Sequence, residues 1–353
     1  GRFTNGRLKN AFSTKLLIDD FSIKLQDGTA KGRFSYSNFA DPQIDIDLDA
    51  DMPFASLVNL IGNDNFHSPT GHLSAKVKII APLELLLKDR KNPAIISKGE
   101  LKIDNVSFGI NKSDLNCREI NGHFLINKTD LGIVNFEGKA GESDFKLDGI
   151  ISQFIPFVFG YGDELLLQGG FTSKFLDLDQ LLSQNINNEQ TENNNKQNYN
   201  FKISPWLSFD LDCSFDKVKF RRLNGKDELR HVESEMHLRN QKLEYDHIRF
   251  TVASGIFDNK GFIDAKDENN ILVYNQCKLK NLDVQEFFYV FENFNQEFIT
   301  DKNLKGKIHG TYNSTLLFDQ ALHLNFDKLK VNSKLTITYG ELLSEVLLDD
   351  KKS

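Results

Sequence analysis

Apolar and polar residues alternate along most of the chain, the period-two pattern of strands with one buried and one solvated face. The segment 44–48 alternates Ile and Leu with Asp, and the segment 209–216 alternates Phe, Leu and Cys with Asp and Ser. Further alternating segments predict strands at 71–80, 99–108, 120–127, 132–137, 144–151, 164–173, 229–238, 243–252, 256–264, 270–279, 322–331 and 335–342. The alternation shifts near Asn105, which predicts a β-bulge. The pattern therefore indicates an antiparallel, mainly β protein.

A few short segments follow the helical period instead. The clearest is 283–294, where apolar residues recur every three or four positions on one face. Asp283 and Glu286 have the spacing of a capping box at its start. Similar short helices are predicted at 54–61 and 177–184.

Two apolar segments permit more than one structure. The leucine-rich segment 82–93 fits either a short helix or a loop that packs an apolar tip, and the loop is favoured. The segment 154–159, Phe-Ile-Pro-Phe-Val-Phe, fits either a buried strand or an exposed apolar lip. Burial is favoured, because large exposed apolar patches are uncommon on soluble proteins.

The pattern repeats along the chain with a period of about 113 residues, which indicates internal repetition. Gly28, Gly141 and Gly255 open similar segments 113 and 114 positions apart, and Phe108 and Phe220 are 112 apart. With this period the first unit starts midway and the last breaks off, so a piece of a longer protein is expected. The predicted divisions are 1–95 (a unit that starts midway), 96–184, an Asn-rich disordered connection at 185–200, 201–310, and the truncated start of a further unit at 311–353.

Composition narrows the function classes. The chain is 39% apolar and 26% charged, with a net charge of −7. The sequence contains no basic patch or stripe, so nucleic-acid binding is not expected. The three cysteines lie in no metal or redox spacing, and no phosphate loop or catalytic motif occurs, so no metal, cofactor or enzyme activity is expected. The carboxylate pairs Asp45/Asp47 and Asp210/Asp212 are predicted to belong to solvated strand faces.

An amphipathic sheet must cover its apolar face, and so few short helices are too little to do so. The sheet either closes into a sandwich or forms a long, curved, groove-like surface with about one short helix per repeat unit. In the second case, the inward strand residues are available to an apolar guest. The candidate lining residues are Ile44, Ile46, Leu48, Phe209, Leu211, Phe215, Leu322 and Leu324.

Several motifs resemble those of AsmA-like proteins of Gram-negative envelopes. The resemblance is carried by a glycine hairpin at 255–261, Leu-Lys-Asn-Leu-Asp-Val-Gln-Glu-Phe-Phe at 279–288, Leu-Lys-Gly-Lys-Ile-His-Gly at 304–310, and the segment 99–108. AsmA-like proteins belong with the TamB-like and bridge-like lipid transfer proteins. The resemblance implies a repeating β-groove that passes phospholipid acyl chains across the periplasm. It also implies an inner-membrane anchor in a segment missing from this chain, and a possible outer-membrane partner. The composition suggests a Bacteroidetes-like bacterium.

Two other functions fit less well. A closed β-sandwich could serve as a scaffold or assembly factor of the outer membrane without a lipid path. A glycan-binding array would need exposed aromatic platforms, yet most aromatic residues are Phe, with one Trp and eight Tyr.

Overall fold

A computed structural model of the protein is mainly β, with 67% of residues in strands and 12% in helices. It describes residues 1–25, 27–62, 65–88, 94–111, 115–158, 160, 162–182, 201–220, 228–290, 293, 297 and 299–342. The predicted fold class of repeated antiparallel strands with few short helices is confirmed. The predicted disordered connection at 185–200 lies outside the described residues.

The chain divides into two compact units. The first unit comprises Gly1–Gly141, Phe145–Gly170 and Trp206–Phe209. The second unit comprises Glu142–Asp144, Phe171–Pro205 and Asp210–Ser353. These units are larger than the repeats predicted from the sequence, whose boundaries stay a prediction.

The first unit is an antiparallel meander in which each strand from β1 to β8 pairs with the next. Its strands are β1 (Arg2–Thr4), β2 (Lys15–Leu25), β3 (Gly28–Ser37), β4 (Gln43–Pro53), β5 (Phe66–Pro82), β6 (Ile96–Ile110), β7 (Asn116–Asn127), β8 (Asp130–Ala140) and most of β9 (Ser143–Ser152). Its helices are α1 (Phe54–Ile61), α2 (Leu83–Lys88) and α3 (Phe154–Val158).

The second unit is a similar meander, with successive antiparallel pairs from β12 to β17. The remaining strands are β10 (Leu165–Asp177), β11 (Leu207–Lys219), β12 (Leu229–Arg239), β13 (Lys242–Val252), β14 (Gly255–Asp264), β15 (Ile271–Asp283), β16 (Leu304–Phe318) and β17 (Lys330–Leu342). The helices are α4 (Leu178–Leu182) and α5 (Val284–Val290). Residues 165–170 of β10 and 207–209 of β11 are assigned to the first unit.

The three predicted helices are confirmed as α1, α4 and α5, each of which directly follows a strand. Asp283 caps α5 by accepting a hydrogen bond from the Glu286 amide at 3.1 Å. The second half of the predicted capping box does not form, because the Asp283 amide donates to the Ala253 carbonyl at 2.9 Å. The Glu286 carboxylate accepts a bond from the Ser254 hydroxyl at 2.6 Å. The predicted ends 183–184, 291–292 and 294 lie outside the described residues.

The favoured structures for the two ambiguous segments were wrong. Residues 83–88 form α2 rather than a loop, because this segment packs against α3 and the sheet and fully buries Leu86. Residues 154–158 form α3 rather than a strand. Pro156 is tolerated there because the first turn of a helix leaves its amides without helical partners. The predicted burial of this segment holds for Ile155 and Pro156, whereas Val158 is exposed.

One predicted bulge is confirmed and one predicted strand is wrong. Asn105 has a positive φ of 46°, and the pairing of β6 with β7 shifts between Ile103 and Val106. Residues 322–329 do not continue a strand. The Asp319 carboxylate accepts a bond from the His323 amide at 2.7 Å, and this local turn competes with strand pairing.

Candidate functional site

One face of the first unit is apolar across six neighbouring strands. The register of β3 to β8 aligns two rows of residues that face the same side of the sheet. One row is Gly32, Leu48, Val77, Gly99, Ile126 and Leu131, and the next is Ala30, Ala50, Ala75, Leu101, Phe124 and Ile133. We call this surface the apolar face. It arises because the period-two pattern of each strand is in register with that of its neighbours.

The opposite face of β3 to β6 is charged. On β4 the carboxylates of Asp47 and Asp49 lie opposite Arg33 and Lys31 on one side, and opposite Lys residues of β5 on the other. Arg33 pairs with Asp45 at 3.5 Å and with Asp47 at 3.9 Å. These exposed pairs contribute little to stability, about 0–1 kcal/mol each. Their effect is to keep this face in water.

Helices cover one end of the apolar face. The fully buried Leu86 of α2 and Ile155 of α3 belong to a hydrophobic cluster with Ile44, Ile79 and Phe124 of the sheet. Near the other end, the Phe54 ring of α1 packs against Phe66 and Phe108, with centroids 6.2 and 5.7 Å apart. Between these ends Leu48, Val77 and Leu101 remain partly exposed. The middle of the face is therefore the part that a guest could reach.

Two open depressions lie along the strands of the first unit. One, of about 620 Å³, is lined by three consecutive residues on each of four strands: 47–49, 76–78, 98–100 and 125–127. The other, of about 490 Å³, is lined mainly by charged side chains such as Lys31, Asp51 and Lys102. Only the first includes a predicted lining residue, Leu48.

The structure brings together some of the predicted lining residues. Ile44, Ile46 and Leu48 share the apolar face on β4, although Ile44 is buried in the cluster beneath α2. Leu211 and Phe215 belong to a separate cluster in the second unit, with Cys213 and Leu176. Phe209, in the first unit, is partly buried on β11.

Leu322 and Leu324 are not strand residues. They lie in the connection between β16 and β17, where Leu324 forms an isolated bridge with Phe318. Both are partly buried, but neither continues a row of the sheet.

In the second unit, the sheet face that packs against α5 is also apolar at one end. We call it the second inward face. α5 contributes the fully buried Val284, which packs in a cluster with Leu282, Ile308 and Phe257. The Phe250 and Phe257 rings stack with centroids 5.1 Å apart.

Polar side chains occupy the middle of this second inward face, and the sequence reasoning missed them. Tyr245, Asn259, Asn275 and Tyr312 lie between two sets of apolar positions, Phe250, Phe257 and Leu279 towards one end and Ile263, Val273 and Leu316 towards the other. The signal was present in 271–279, where Asn275 takes the parity of Ile271, Val273 and Leu279.

Titratable groups form ion pairs on the outer faces. Asp210 accepts hydrogen bonds from His237 at 2.9 Å and from Arg239 at 2.7 Å, so this predicted solvated carboxylate has ordinary partners. Burial raises the pKa of Cys213 to about 12 and that of Cys277 to about 11, which keeps both thiols protonated and unreactive. Within the described part of the chain, no group of three or more His, Cys, Asp or Glu side chains is placed to hold a metal ion.

Among the described residues, no helix is both long and apolar enough to cross a membrane. Comparison with known proteins gives no family model, no curated protein and no solved structure that matches this chain.

Proposed function

We propose that this chain is a segment of an AsmA-like envelope protein whose apolar face carries phospholipid acyl chains between the inner and outer membranes. One observation supports the proposal above others. The apolar rows run across β3 to β8, and their part on β3 to β6 is partly exposed and lies opposite a charged face. A sheet of this kind offers an apolar surface for acyl chains on one side and keeps a charged, hydrated surface on the other.

The dimensions suit an acyl chain. The four strands β3 to β6, spaced by about 4.8 Å, span roughly 14 Å, close to the roughly 15 Å of one bilayer leaflet's hydrocarbon. Each buried CH₂ group contributes about 0.8 kcal/mol, so a whole chain is held firmly. A chain that slides by one row exchanges one set of apolar contacts for a similar set. Movement along the face therefore has a small net cost, and the headgroup stays in water.

The proposal assigns the protein a place and partners. The segment would work in the periplasm, tethered to the inner membrane by a part of the protein outside this sequence, with a possible outer-membrane partner. Its ligand would be phospholipid, and no nucleic acid and no cofactor would take part.

The test compares two asparagine substitutions at adjacent positions of β4. Leu48→Asn places an amide on the apolar face, whereas Asp49→Asn places one on the charged face. An unpaired amide beneath an acyl chain costs about 1–3 kcal/mol, so Leu48→Asn should bind lipid about tenfold or more weakly. Asp49→Asn loses only an exposed pair with Lys76, so its lipid binding should match that of the wild type.

Lipid is measured by native mass spectrometry and solvent extraction of the purified chain, with circular dichroism as the folding control. Wild-type protein that contains no phospholipid, and takes up none from vesicles, would refute the proposal. Equal binding by the two variants would show that the apolar face is not the binding surface.

A second function is a scaffold without a lipid path. The observation that favours it is the tight cluster beneath α2, where Leu86 is fully buried and Ile44 and Ile79 are nearly so. In a scaffold, Leu48→Asn would lower the stability of the fold, and the wild type would contain no lipid.

A further inference from the structure

Two neighbouring rows of the second unit carry polar side chains inside an otherwise apolar face. The register aligns Ser234, Ile248, Asn259, Cys277 and Tyr312 in one row, and Met236, Tyr245, Gly261, Asn275 and Ser314 in the next. We call these two rows the polar belt. Apolar rows flank it: Leu243, Ile263, Val273 and Leu316 on one side, and Phe250, Phe257 and Leu279 on the other.

The centre of the belt is a tyrosine that reaches across a strand. Tyr245 pairs with Gly261, and Gly261 pairs with Asn275. The Tyr245 hydroxyl donates to the Asn275 side-chain oxygen and lies 3.0 Å from where a Cβ on Gly261 would stand. Any side chain at position 261 would also collide with the Tyr274 carbonyl. The glycine therefore makes room for a hydrogen bond that spans three strands and fixes the Asn275 amide.

The chemistry of the belt is neutral. Burial raises the pKa of Tyr245 to about 12 and that of Cys277 to about 11, and it also raises the pKa of Tyr312. Amides, hydroxyls and a protonated thiol remain, and neither row contains a cation or a carboxylate. Such a set suits a neutral oxygen acceptor, such as an ester carbonyl, better than a phosphate, which attracts Arg and Lys.

One buried side chain of the belt, that of Ser234, has a hydroxyl that could still form hydrogen bonds. Ser234 is 6% exposed, and its hydroxyl has no hydrogen-bond partner among the described residues. A buried hydroxyl without a partner is costly, and such groups call for an explanation, such as a ligand atom or a water. Asn275 and Tyr312 are partly exposed, so the belt is not sealed from a guest.

We infer that the polar belt is a binding site for the ester carbonyls of a glycerolipid whose acyl chains lie on the flanking apolar rows. This inference rests on the proposed function. It adds a chemical preference that the apolar rows of the first unit lack, since those rows contain only Gly, Ala, Val, Leu, Ile and Phe.

The experiment offers the whole chain two lipids that differ only in the linkage. Vesicles contain equal amounts of dioleoyl phosphatidylcholine and its diether analogue, which has the same headgroup and chains but no ester carbonyls. The protein is re-isolated and the bound lipids are quantified by mass spectrometry. The wild type should prefer the ester lipid by about tenfold, the discrimination expected from one or two neutral hydrogen bonds.

Two matched variants locate the preference. Asn275→Leu removes an inward amide of the belt and should reduce the preference to less than about twofold. Asn313→Leu removes an exposed amide on the other face of the neighbouring strand, and should leave the preference unchanged. Circular dichroism and thermal melting confirm that each variant folds, and Ser234→Ala provides a smaller change in the same belt.

The outcomes separate the two proposals. Equal binding of both lipids by the wild type, or a full ester preference in folded Asn275→Leu, would overturn the belt as an ester site and leave the proposed function standing. Failure to bind either lipid would overturn the proposed function, and the ester site with it.

Discussion

Replacing Gly28 by alanine should destabilise the first unit by about 1–3 kcal/mol, the usual cost of forcing extra atoms into a packed site. Gly28 opens β3 where the end of β4 bends into α1. An ideal Cβ at position 28 would lie only 2.5 Å from the Met52 Cβ and 3.0 Å from its Cα. Directly opposed residues of paired strands normally keep their Cβ atoms about 4.5–5.5 Å apart. The end of β4 would therefore have to move by roughly 2 Å, and Met52 is buried and has little room to do so.

Gly132 provides a matched control in the same unit. A Cβ there would meet no atom closer than 3.6 Å, which is ordinary van der Waals contact. Gly132→Ala also removes the backbone freedom that glycine gives the unfolded chain, so it should be neutral or stabilise by up to about 1 kcal/mol. The same substitution of Gly by Ala is therefore expected to destabilise the protein at position 28 and to leave its stability unchanged or raise it at position 132.

Urea unfolding followed by tryptophan fluorescence measures both variants. Trp206 is the only tryptophan, belongs to the first unit, and packs against Phe157 with ring centroids 5.6 Å apart. A Gly28→Ala midpoint equal to that of Gly132→Ala would refute the steric argument. Gly255 is placed in the same way in the second unit, because a Cβ there would lie 2.6 Å from the Cα of Leu282, just before α5. Gly255→Ala should therefore also destabilise the protein.

Two further changes test the helices. Leu86→Ala should cost about 2–5 kcal/mol, because Leu86 is fully buried beneath the first unit's sheet, and a loss below 1 kcal/mol in urea unfolding would contradict that packing. Asp283→Ala should cost about 1 kcal/mol through loss of the α5 cap, whereas Asp283→Asn keeps a capping oxygen and should cost less. Burial alone would raise the pKa of Asp283, but the Glu286 amide and the Lys307 ammonium hold it below its usual value. Its contribution to stability is therefore present above about pH 4 and is lost as the pH falls further through the folded-state pKa, so the wild-type advantage over Asp283→Ala should shrink in acid unfolding experiments.

Local patterns were enough to predict most elements. Strands were found because the side-chain period of a strand is two residues and one face of each sheet is wet. The start of α5 was found because Asp283 caps it with its own side chain, an interaction within three residues. The bulge at Asn105 was visible because one extra residue reverses the alternation.

The errors came from interactions that sequence spacing does not reveal. α2 and α3 are helical because they pack against each other and against the sheet. The apolar residues alone did not distinguish a helix from a loop at α2, or from a buried strand at α3. Residues 322–329 kept the alternating pattern, yet the Asp319 turn prevented a strand. The Tyr245–Asn275 bond joins residues 30 positions apart, and only the register of three strands brings them together.

The polar belt bears on whether a lipid surface of this kind could conduct at all. A site that binds too tightly would stop movement, and a uniform surface gives a lipid no defined position. A tenfold preference for an ester corresponds to about 1.4 kcal/mol. This is less than the burial of two CH₂ groups, about 1.6 kcal/mol, and is therefore a small part of the apolar contribution of a whole acyl chain. The belt would therefore orient a passing lipid by its ester groups without holding it, and the larger apolar contribution would still decide whether the lipid stays on the protein.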